Sequence, residues 1–193
     1  MAGPTTRDVS SLAIGLAQVR VGPSATNISS NTAVLESTDS IGSLTETAFV
    51  GNTEWWEHEA GFPLVTDYQI PIREAAALEC AYEEMTPYNL ALSYGKDPTD
   101  GSYDSAHSGE IALGGRTAPE FVRMEAVYTF PNGTNTMTII FPRAQVRNEA
   151  RVEFSKTEGA ANPITFSASR ADSASASGDA AWDGKPLGVI RFA

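Results

Sequence analysis

Cysteine occurs once in the 193 residues, at Cys80. A single thiol cannot close an internal disulfide, and its scarcity suits a reducing cytoplasm. Histidine occurs twice, at His58 and His107, and neither these nor Cys80 fall into a metal-ligand spacing. There is no Gly-rich phosphate loop and no Gly-x-Ser-x-Gly elbow. No window approaches the roughly 18 consecutive apolar residues of a membrane span, and the opening MAGPTTRDVSS lacks the apolar stretch of a signal peptide. Cations are scarce too: 13 Lys and Arg face 24 Asp and Glu, a formal charge of −11. That balance argues against a surface that grips nucleic acid by neutralising phosphates, and suits one that repels it. Asn27-Ile28-Ser29 and Asn132-Gly133-Thr134 match the glycosylation sequon, which without a secretion signal is chance. No internal repeat is found.

These absences leave no catalytic set, metal site or cofactor site to expect. Glu83-Glu84 is the one adjacent carboxylate pair with an acid–base look, but neighbours on a strand point to opposite faces. Asp97-Pro98-Thr99-Asp100-Gly101 resembles a calcium loop superficially. Its glycine comes one place early, and Ser108 stands where a bidentate glutamate is needed, so a turn-rich loop over 96–109 is the expectation.

What is present is a turning, alternating chain. Its length suits one domain with a real core, and 16 Gly with 11 Pro suit frequent turns. Residues 9–22 read as a first strand with a bulge. The polar run 24–43 reads as a long loop, mobile in a lone subunit. Residues 44–50, 53–61 and 65–70 alternate as strands, and Pro71 argues against a central position there. Trp55 and Trp56 fall on opposite faces, so one is expected in the core and the other half exposed or against a partner. Val122 to Phe130 and Met137 to Phe141 alternate across Pro131-Asn132-Gly133-Thr134-Asn135, the strongest hairpin signal in the chain. Ala150 to Phe154 and Ile164 to Ala168 predict two further strands. Residues 171–185 read as a flexible linker. The apolar segment 186–193 then forms a terminal strand or arm that closes the chain's own sheet or reaches a neighbour's edge. The fold class is thus mainly β, a β-sandwich or barrel over residues 1–170 with one short helix.

That helix lies in Ile70 to Gly95. Thr86 is a good N-cap, Pro87 fits the first helical position, and Gly95 supplies the stop, which predicts a helix over 87–94. Ala75 to Glu84 is ambiguous by period, since both a helical face and an alternation fit it. The order of features here is Ile-Pro with a following arginine, an alternating segment ending Glu-Glu, Thr-Pro-Tyr-Asn-Leu-Ala-Leu and a tyrosine-glycine stop. Together with residues 42–63 and Asn-Pro-Ile-Thr-Phe at 162–166, it resembles the tail tube (major tail) proteins of long-tailed bacteriophages. The resemblance implies a strand at 75–84 followed by a short helix laid across a β-sandwich.

It also implies a structural virion protein assembled in the host cytoplasm. Six copies would form a ring whose inner wall is a barrel built from strands of every subunit. Rings would stack into a tube that meets tape-measure, terminator and distal tail proteins and conducts DNA without binding it. Glu46, Glu54, Glu57, Glu59, Asp67, Glu79 and Glu83 are the candidates to line that lumen, although each alone is an ordinary solvated carboxylate. Trp55, Trp56, Leu187, Val189, Ile190 and Phe192 are the candidates for contacts between subunits. The competing reading is a monomeric or trimeric β-sandwich binding module, a capsid decoration or carbohydrate-binding domain, with Trp55, Trp56 and Trp182 as contact aromatics.

Overall fold

The computed structural model describes residues 13–100, 103, 109–114, 118, 120–147, 149–152 and 161–193. Its strands are β1 (Gln18–Pro23), β2 (Leu44–Ala60), β3 (Val65–Tyr82), β4 (Val122–Thr129), β5 (Thr136–Val146), β6 (Asn162–Ala168) and β7 (Val189–Phe192). All seven belong to one antiparallel sheet, ordered β1-β4-β5-β6-β3-β2, with β7 paired to β5. The mainly β class expected from the alternation is what forms.

The sheet curls until its ends meet. The Ile41 N–H donates to Val19 O at 3.0 Å, and the Ala17 N–H donates to Thr47 Oγ1 at 3.3 Å, so the start of β2 comes against β1. The main hydrophobic cluster, inside the curl, includes Val21, Met124, Phe141, Phe166, Leu78 and Tyr82. Each belongs to the inward parity of its strand, which is why the β4–β5 alternation read correctly. The β4–β5 turn is also as expected: Gly133 takes φ +71°, and Asn132 Oδ1 accepts from the Thr134 and Asn135 amides at 3.1 and 3.0 Å.

Residues 75–82 are the end of β3, and the helix α2 spans Pro87–Ser93. Thr86 Oγ1 accepts from the Asn89 amide at 3.1 Å, and Gly95 closes the helix at φ +73°. Tyr82 Oη lies 2.6 Å from Ser93 Oγ and donates to Asn89 O at 3.2 Å, which fixes the helix across the strand that feeds it. Leu92 enters the main core.

A second layer covers the outer face of β4 and β5. It is made by the two stretches that read as loop and linker. Residues 24–43 contain a one-turn helix, α1 (Ser24–Asn27), and a 3-10 turn, and residues 171–185 contain another 3-10 turn at Ala180–Trp182. Trp182 is completely buried with Ala171 and Ile140, packed by Ile28 and Val189, and its indole N–H donates to Ile28 O at 2.6 Å. The stretch expected to be a flexible linker is therefore packed. A lone tryptophan in a Ser, Ala and Gly run was its anchor.

Beneath this layer sits a fully buried ion pair on β4, Arg123 Nε to Glu125 Oε1 at 2.7 Å. The guanidinium also donates to the carbonyls of Asn27, Ser30 and Thr32, at 2.9, 2.9 and 2.6 Å. The carboxylate accepts from the amides of Val34 and Leu35. A polar segment can lie against a sheet only if its backbone groups are satisfied, and this pair satisfies five of them. The outward parity of β4, which alternation alone assigns to solvent, is buried for that reason.

Two strand expectations are corrected. The first strand begins only at Gln18, with Ile14 and Leu16 exposed before it, while residues 1–12 lie outside the described residues. Residues 149–152 are not strand, and the rest of the expected Ala150–Phe154 strand lies outside the described residues, as do 101–102 and 104–108 of the turn-rich loop.

Candidate assembly surface

The strands read separately at 44–50, 53–61 and 65–70 are two long ones. β2 runs 17 residues and β3 runs 18, paired from Leu44↔Tyr82 to Ala60↔Val65. Only the base belongs to the body, where β3 pairs β6 from Ala77 to Tyr82. Every residue from Val50 to Ala75 is exposed. At about 3.3 Å per residue, the free part of this ribbon is roughly 35 Å long. Pro71 lies in it, on a β3 edge that β6 does not reach, which agrees with its exclusion from a central ladder position.

The register assigns each side chain a face. Alternation along β2 is unbroken from Glu46 to Ala60, because the two distal bulges fall on β3, at Ile72 and Asp67. One face of the free ribbon carries Trp55, Glu57 and Glu59 on β2, opposite Pro71, Gln69 and Thr66. The other carries Glu54, Trp56 and His58, opposite Arg73, Ile70 and Tyr68. Two contacts agree with this assignment. Gln69 Nε2 donates to Glu57 Oε1 at 3.0 Å, and the Trp56 and His58 rings stack with centroids 5.9 Å apart.

The seven carboxylates named from the sequence therefore do not share one surface. Glu46 and Glu79 lie close together on the outward face near the ribbon's base, the face that also carries Glu54 against Arg73. Glu57 and Glu59 are on the opposite face, Asp67 is a bulge residue, and Glu83 lies beyond the strand end, accepting from Ser43 Oγ at 3.2 Å. Glu74, which the sequence reading did not single out, joins Glu57 and Glu59 through the bulge at Ile72. No local signal marks a bulge of this kind.

Neither tryptophan of the pair is in the core: Trp55 is 54% exposed and Trp56 47%. The expectation that one would be buried fails because, among the described residues, nothing packs behind either face of the ribbon. The tip is apolar as well, with Phe62 fully exposed at 103% and Leu64 and Val65 beside it. The remaining candidates for subunit contacts fall on or just before β7, which pairs Met137 to Ile140 of its own β5 and so closes the chain's own sheet. Val189 packs toward Trp182, whereas Ile190 and Phe192 remain exposed on the other parity.

Cys80 sits where the ribbon enters the body. Burial, then the charge of Glu46, push its thiol from the ordinary 9.0 up to about 12. A raised folded-state value means the neutral thiol is favoured, so its contribution to stability is present below about pH 9 and is lost as the pH climbs toward 12. At about pH 8 the native chain is expected to resist iodoacetamide and to react stoichiometrically once unfolded in guanidinium. Rapid labelling of the folded protein, read by mass spectrometry, would contradict the burial.

Among the described residues, the free part of the ribbon thus combines backbone edges without a strand partner, large exposed aromatics and a high density of carboxylates. Comparison of the chain with protein-family models and with curated proteins gave no match.

Proposed function

We propose that this chain is the repeating subunit of a phage tail tube, six copies forming a ring and rings stacking around a DNA-conducting lumen. The observation that carries the reading is the β2–β3 ribbon, exposed on both faces from Val50 to Ala75. An isolated two-stranded hairpin is at best marginally stable in water, and an open edge invites pairing. A ribbon of this length is explained if neighbouring ribbons pair edge to edge into a closed barrel, which removes the edges and covers one side of each.

Charge supports the same arrangement. Residues 44–82 carry seven Asp and Glu against Arg73 alone, a net −6 out of the chain's −11. Six copies bring −66 to a ring. Either face of the ribbon is net negative, Glu57, Glu59 and Glu74 on one and Glu46, Glu54 and Glu79 against Arg73 on the other, so whichever lines the lumen repels a polyanion over roughly 8 Å at physiological salt and lets DNA slide without sticking. The alternative, a sugar- or capsid-binding module, loses two of its three contact aromatics as one surface: Trp182 is buried, and Trp55 looks to the side opposite Trp56, which keeps only the rings of His58 and Tyr68 beside it. Negative-stain microscopy of concentrated protein is expected to show six-fold rings or tubes. Uniform small particles at every concentration would overturn the proposal.

A further inference from the structure

We infer that the ribbon's apolar tip, Phe62, Leu64 and Val65, docks in the apolar cleft beside β7 of a second copy of this chain. The inference rests on the self-assembly proposed above and specifies which surfaces meet.

The cleft arises where the sheet divides. β6 and β7 lie along the same edge of β5, β6 opposite Ala144 to Val146 and β7 opposite Met137 to Ile140. β3 follows β6 only as far as Ala77 and then departs with the ribbon. Between β7 and the departing ribbon there remains a cleft of about 110 Å³ lined by Phe49, Ala76, Phe141, Leu187, Val189 and Ile190. Phe141 is buried, and its ring centroid lies 6.4 Å from that of the partly exposed Phe49.

Three observations select a second copy as the occupant. The tip stands roughly 35 Å from the cleft along a paired ribbon, so a chain cannot fill its own cleft. Knob and cleft are both apolar and exposed and lie on different parts of the chain, which makes the contact heterologous, the kind that repeats around a ring or along a stack. The charges also complement: residues 44–82 carry a net −6, whereas the described residues of 136–193 hold six Lys and Arg against four Asp and Glu.

Disulfide trapping tests this directly, because Cys80 is buried and provides a silent background. Leu64→Cys with Ile190→Cys in one chain is expected to give a ladder of dimers, trimers and higher multimers on mild oxidation. Each single variant stops at dimers, having one new thiol. Leu64→Cys with Ala13→Cys probes a second apolar cleft of about 160 Å³ on the other side of Phe49. Leu64→Cys with Leu187→Cys repeats the test should Ile190→Cys disturb β7. A ladder for the Ile190 or Leu187 pairing and none for Ala13 supports the docking. Tubes or rings by microscopy with no ladder, or a ladder only with Ala13, overturns it and leaves the tube reading standing. Absence of any assembly overturns both.

Discussion

Arg123→Met is expected to destabilise the folded chain by about 3–5 kcal/mol, the cost of breaking a buried ion pair by removing one partner. For a domain of this size that corresponds to a fall in melting temperature of about 6–20 °C. The physical reason is what remains. Glu125 stays fully buried without its cation, and the carbonyls of Asn27, Ser30 and Thr32 lose their donor beneath a packed layer. Glu125→Met should cost a similar amount by stranding the guanidinium and the amides of Val34 and Leu35. The double variant Arg123→Met/Glu125→Met should cost less than the sum, because no net charge is left buried. What it should lose instead is the fixed course of residues 27–35, read as faster amide exchange at Val34 and Leu35 with the β4 and β5 amides still protected. Calorimetry showing Arg123→Met within 2 °C of the parent, a shift of roughly 1 kcal/mol or less, would mean the pair is not buried.

This pair also shows where sequence reading stops. Local signals were sufficient for α2, whose Thr86, Pro87 and Gly95 act within one or two turns, and for the β4–β5 hairpin, whose Asn132-Gly133 sits between matched alternations. They failed for the covering layer. Polar composition at 24–43 and 171–185 describes how those residues behave alone. Their order depends on partners far along the chain: Arg123 is 91 residues from Thr32, and Trp182 is 154 from Ile28. In β4 the strand period was right and the inference from it was not, since an outward face stays polar and yet buried when backbone is laid upon it. The candidate surface was legible in content and illegible in geometry. The acidic and aromatic residues of 44–82 were identified, but Gly51-Asn52 read as a break in what is continuous strand, and the bulges at Ile72 and Asp67 set which carboxylates face together.

Replacing residues 52–75 by a two-residue Asn-Gly turn is expected to leave the body folded and to abolish assembly. The first half follows from the burial pattern. The removed residues are all exposed, and among the described residues the main core draws on this hairpin only through Leu44, Ala76, Leu78, Cys80 and Tyr82, all of which remain. Melting should shift by only a few degrees. The second half follows from magnitude. Burying a large apolar side chain contributes roughly 1.5–3 kcal/mol, so four of the ribbon's exposed aromatics and aliphatics would contribute about 6–12 kcal/mol. That is comparable to the roughly 4–15 kcal/mol cost of associating two bodies. One such contact therefore yields weak dimers at most, whereas a closed ring gives every copy two, and stacking adds more. Assembly should consequently be steep in concentration for the parent and absent for the shortened chain, as sedimentation velocity would measure. Tubes formed by the shortened chain would remove the ribbon from the assembly mechanism. A shortened chain that fails to fold would show instead that the ribbon, exposed as it is, belongs to the folding unit.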